Sequence, residues 1–86
     1  MRICDAAELV LRETGNPAVM WGDDGLLHHI AKKAGIASNG PRTADNVIAA
    51  LSRQPGNLVP GFTPGPAGMK SRMVRIFRLK EAPHAS

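Results

Sequence analysis

Two stretches of this chain share one apolar spacing, and the last third abandons it. Leu27, Ile30, Ala31 and Ala34 fall at i, i+3, i+4 and i+7, and so do Ala44, Val47, Ile48 and Leu51. That spacing lines four side chains along one face of an α-helix, so each stretch must hide its stripe against another element. After Pro55 and Gly56 the period changes: Asn57 to Phe62 and Met73 to Lys80 are apolar segments of strand length. Helical stripes followed by strand-length runs describe an α+β domain.

The punctuation supplies the remaining boundaries. Asp5 followed by Glu8 has the spacing of a capping box, which predicts a first helix from about Ala6 to Thr14. Gly15 can close it in the left-handed conformation, and Pro17 forbids continuation. A short connector containing Val19, Met20 and Trp21 follows, then Asp23 or Asp24 as cap of a second helix that Gly35 stops, with Ile36 placed to pack back on its last turn. Thr43 is the expected cap of the third helix, which Pro55 and Gly56 end.

The stretch TPGPAGMKSR cannot be helix and reads as a long connection between two antiparallel strands. Pro60 cannot donate to a ladder, so it belongs at an edge or bulge. In MVRIFRLK, Val74 and Ile76 share one face while Met73, Arg75, Phe77 and Leu79 share the other, and a bulge near Ile76 and Phe77 would reconcile the two apolar sets. Residues 81–86 read as a frayed tail, leaving one domain over residues 1–80. Three amphipathic helices must pack together, and a hairpin is marginal unless it docks on them. The expected fold is a small winged helix-turn-helix: three helices followed by a two-stranded β-hairpin wing.

The succession AELVLRETGNP, KKAGI, GPRTADNVIAALSR, NLV and MVRIFRLK resembles the HARE-type winged helix domains over about residues 5 to 80. Those domains run from an amphipathic helix ending in Gly and Pro, through a helix opening with Thr after a basic turn, to a hairpin. The resemblance implies a DNA-binding or chromatin-linked adaptor module and implies no catalysis. TPGPAGMKSR is longer and richer in proline than the wing turn usual in that family.

Cys4 is the sole cysteine, so no disulfide closes within the chain, and Cys4, His28, His29 and His84 lack the spacing of a zinc site. The acids Asp5, Glu8 and Glu13 interrupt the opening residues where a signal peptide needs an apolar run, and no later stretch is long enough to span a membrane. A reduced, cytoplasmic protein is the simplest expectation. With no Tyr, one Trp and two Phe, the core must be mostly aliphatic, and stacking of bases on aromatic platforms is not expected. Trp21 reads as a core or rim anchor on the connector between the first two helices, with a binding hot spot as the alternative for the sole Trp. No phosphate-cradling glycine motif, paired-carboxylate arrangement or nucleophile with its base stands out, so neither an enzyme nor a cofactor is expected.

Charge is unevenly spread. Residues 1 to 24 carry two arginines against five acids, a net −3, whereas residues 25 to 86 carry nine Lys or Arg against two acids, a net +7. A basic part of this kind suits a polyanion. In the DNA reading, Arg42, Asn46 and Arg53 on the third helix are the groove contacts, and the amides of its Thr43-capped start meet a phosphate. Lys70 and Arg72 in the wing meet phosphates as well, and Arg75 and Arg78 form a basic stripe on the last strand. Asp45 is read as favouring the helix N-terminus. The partner is then double-stranded DNA, bound mainly through phosphates. The alternative is a protein-binding adaptor or phage-like inhibitor that docks on an acidic surface, favoured by the small outer residues Ala49 and Ala50.

Overall fold

The computed structural model describes residues 1–36, 40–64 and 73–80. In chain order the elements are α1 (Ile3–Thr14), β1 (Ala18–Met20), α2 (Asp24–Lys33), α3 (Thr43–Arg53), β2 (Leu58–Pro64) and β3 (Met73–Leu79). The class is α+β with three helices, as expected, but the sheet has three antiparallel strands rather than two. Its order is β1-β3-β2, with Ala18, Val19 and Met20 opposite Arg78, Phe77 and Ile76. The expected connector is therefore a strand. Three residues are too few to show a period of two, so only pairing with β3 reveals it.

The helical stripes become one core. Ala6, Ala7, Val10 and Leu11 of α1, Leu27, Ile30 and Ala31 of α2, and Val47, Ile48 and Leu51 of α3 are all buried and pack in a single cluster with Val19, Leu58, Phe77 and Leu79. α1 starts earlier than the capping-box reading places it. Cys4 is buried and Ile3 packs against the core, which rewards a further helical turn, and Asp5 is then inside the helix, accepting from Arg2 Nε at 3.3 Å. Glu8 does not cap either. Its carboxylate accepts from Arg12 Nε at 3.2 Å and from Asn57 Nδ2 at 3.1 Å, which ties α1 to the approach to β2.

α2 closes as its glycine suggests. Gly35 has φ 80°, its N–H donates to the Lys32 carbonyl, and the Ile36 N–H reaches back to the Ala31 carbonyl at 2.9 Å. That pair of bonds satisfies two carbonyls the helix end would otherwise leave open. At the other end Asp23 is the N-cap residue, yet its carboxylate accepts from the Met20 N–H at 3.0 Å and so braces the turn out of β1. Thr43 is likewise not the cap. It is the first residue of α3, is buried, and its hydroxyl donates to the Gly40 carbonyl at 3.0 Å; Arg42 holds the cap position.

β2 and β3 pair without interruption from Leu58–Leu79 to Pro64–Met73, so there is no bulge at Ile76 and Phe77. The strand reconciles its apolar sets differently. Phe77 and Leu79 are buried against the helices on one face, whereas Val74 and Ile76 are buried on the opposite face and take no part in the helical core. Pro60 lies on the outer strand β2, where its missing N–H interrupts no central ladder.

Candidate nucleic-acid interface

The outer side of α3 is built by the same spacing that builds its inner side. Arg42, Asn46, Ala49 and Arg53 fall at i, i+4, i+7 and i+11, a stripe about 16 Å long that points away from Val47, Ile48 and Leu51. All four are exposed. The stripe thus carries one guanidinium at each end and an amide between them. Neither Arg42 nor Arg53 has an ion-pair partner among the described residues. Arg2, Arg12 and Lys33 do, with Asp5, Glu8 and Glu13 respectively. The acids of the N-terminal third therefore neutralise cations on α1 and α2 and leave those of α3 available.

Thr43 cannot contribute a hydroxyl contact, because its side chain is turned inward. Asp45 is exposed in the first turn of α3, where a carboxylate suits the partial positive charge of the helix start. It also has a specific partner: the Trp21 indole N–H donates to it at 3.2 Å.

Arg75 and Arg78 do not form one stripe. They are an odd number of residues apart on β3 and so project from opposite faces of the sheet. Arg75 lies on the face that carries Phe77 and Leu79. Its guanidinium carbon lies 5.2 Å from the centroid of the Phe62 ring, the residue opposite it on β2. On its other side the Trp21 N–H donates to the Arg75 carbonyl at 2.9 Å, extending the β1 register by one residue. Trp21, Arg75 and Phe62 are consequently one row across three strands. Lys70 and Arg72 lie outside the described residues.

This row is what sequence reasoning missed. Trp21 is 41% exposed, at the rim and not in the core, Phe62 is 57% exposed, and of the three aromatic residues only Phe77 is fully buried. The signal was the position of Trp21 directly after Val19 and Met20, legible only once those residues are known to pair with β3. His28 is half-buried and His29 exposed, the division expected for adjacent positions on a helix. No helix among the described residues is long and apolar enough to cross a membrane. No family model, no curated protein and no solved structure matches the chain.

Proposed function

We propose that this protein is a small winged-helix module that binds double-stranded DNA, mainly through phosphates, as an accessory in transcription or genome maintenance. The observation that carries the reading is the outer stripe of α3, with Arg42 and Arg53 exposed and without acid partners among the described residues at its two ends and Asn46 between them. A helix of about 10–12 Å diameter fits the major groove, and guanidinium groups at its ends reach the flanking phosphates. The start of α3 adds backbone N–H groups suited to a phosphate oxygen. In this reading the β2–β3 hairpin is the wing and β1 its third strand.

The test is a titration of labelled protein with a random duplex at several salt concentrations. Affinity that falls steeply as salt rises supports the proposal, because each neutralised phosphate releases counterions. Absence of binding at low salt overturns it.

A second reading, an adaptor docking on an acidic protein surface, is supported by one feature. Ala50 of α3, Gln54 just after it, and Met1, Arg2, Ile3 and Cys4 around the start of α1 line a groove of about 280 Å³. Small residues there admit a partner's side chain. This reading expects a captured partner that is lost on Ala50→Trp while the fold persists.

A further inference from the structure

The rings of Trp21 and Phe62 in the row Trp21–Arg75–Phe62 take no part in the buried core, although aromatic side chains carry large apolar surfaces that folding usually covers. Trp21 and Phe62 are both left exposed, and Met73, one residue pair further along the same face, is 55% exposed. Their arrangement is ordered. Arg75 occupies the central strand with a strand on either side, and its guanidinium lies over the Phe62 ring. The indole of Trp21 is held from the far side by Asp45. The only acid among the described residues beyond Asp24 is thereby engaged with a neutral donor, and the row presents a cation over one exposed aromatic ring with a second exposed ring at its other end.

We infer that, against the expectation drawn from the low aromatic content, this face is a binding site for unpaired nucleobases, taking a single-stranded or frayed segment next to the duplex that α3 engages. The inference rests on the duplex reading only for that adjacency; the stacking site itself stands on the row. Bases within a duplex are stacked on one another and offer no free face, whereas an unstacked base can lie on an aromatic ring or a guanidinium plane. Charge selects the occupant: in the described chain beyond residue 24 there are seven Lys or Arg against Asp45 alone, which suits a phosphate-linked strand. Adjacent strands are about 4.8 Å apart, so the backbones at Trp21 and Phe62 are separated by about 10 Å with that of Arg75 between them. The Trp21–Asp45 bond puts this row beside the first turn of α3, next to Arg42 and Asn46. A strand leaving the end of a duplex can meet both.

Trp21 is the sole tryptophan, so its fluorescence reports on the site directly. The full chain is titrated with a blunt duplex of about 20 base pairs, the same duplex with a single-stranded extension of about ten nucleotides, and the extension alone. The expected result is that the extended duplex binds about tenfold more tightly than the blunt one and quenches Trp21. Phe62→Ala removes that advantage and leaves blunt-duplex affinity unchanged, and Arg75→Ala removes it while lowering the affinity for both duplexes through the lost charge. Phe62 is exposed, so its variant keeps the fold, which circular dichroism checks; Arg75→Lys serves as the charge-preserving control and loses the stacking gain too. Equal affinity for blunt and extended duplex overturns this inference and leaves the duplex proposal standing. Quenching by the extension alone, with no blunt-duplex binding, overturns the duplex proposal and supports this one. A preference for the extension that survives Phe62→Ala and Arg75→Ala overturns the assignment to this row. No response to any nucleic acid overturns both and leaves the row to an acidic protein partner.

Discussion

The indole N–H of Trp21 donates to the carboxylate of Asp45 across 3.2 Å, joining the end of β1 to the first turn of α3. Both residues are exposed, so the bond exchanges one set of water contacts for another and its net worth is modest, about 1 kcal/mol. The same carboxylate favours the start of α3 by about 0.5 kcal/mol. Asp45→Ala is therefore expected to lower stability by about 1–1.5 kcal/mol in urea titration. The charge acts oppositely on DNA. Asp45→Ala and Asp45→Asn both remove a carboxylate beside Asn46 and should tighten duplex binding at low salt. A weaker duplex complex for Asp45→Asn, which retains a hydrogen-bond acceptor, would count against α3 facing phosphates.

Gly56 is constrained twice. Its φ is 60°, and a Cβ placed on it would meet Cys4 Sγ at 2.8 Å and Cys4 Cβ at 3.0 Å. The left-handed backbone alone makes Gly56→Ala cost about 1–2 kcal/mol, and the collision adds to it. Denaturant midpoints should place Gly56→Ala at about 2–3 kcal/mol destabilised. Cys4→Ala removes the sulfur but not the Cβ, so in the double variant part of the loss, about 0.5–1 kcal/mol, should be recovered. Strict additivity of the two changes would mean that the contact carries no strain.

These two sites show where the sequence was legible and where it was not. The stripes of α2 and α3 are local, repeated over two turns each, and spacing alone identifies their inward residues. Pro60 announces an outer strand because an absent N–H is a property of the residue itself. The start of α1 was not legible, since Cys4 and Ile3 extend the helix only because a core exists to receive them. β1 was hidden for a related reason: Ala18, Val19 and Met20 become a strand through β3, nearly sixty residues later. The caps failed because a short polar side chain near a helix start has several possible partners. Asp23 serves Met20 and Thr43 serves Gly40, neither of which spacing identifies. For the candidate interface, Arg42, Asn46 and Arg53 follow from the helix period, whereas the Trp21–Arg75–Phe62 row depends on strand register. The pairing of Arg75 with Arg78 was an error of that kind, because adjacency along a strand does not give a shared face.

Phe77 and Arg78 test that assignment of faces. Phe77 is fully buried at the centre of the sheet, opposite Val19 and Pro60, and its ring is the largest side chain in the core. Phe77→Ala should cost about 3–5 kcal/mol, a large part of the stability of a domain this size. Arg78→Ala, one residue on and exposed, should stay within about 0.5 kcal/mol of the parent. Comparable losses for the two, read from urea midpoints at equal slope, would contradict the exposure of the Arg78 side chain.

The strongest constraint on the DNA reading is the salt slope of α3 variants. If Arg42 and Arg53 each neutralise one phosphate, log affinity should fall with log salt less steeply by about 0.9 for each arginine removed. Arg42→Ala and Arg53→Ala together should then reduce the slope by about 1.8, with no change in thermal midpoint, since both side chains are exposed and lack acid partners among the described residues. The size of the change matters more than the loss of affinity. An arginine that only packs against DNA, or that specifies a base without displacing counterions, weakens binding at every salt concentration equally. A parallel shift of the salt plot would place these two arginines away from the phosphates, whereas a flatter plot would give α3 the contact its outer stripe is built to make.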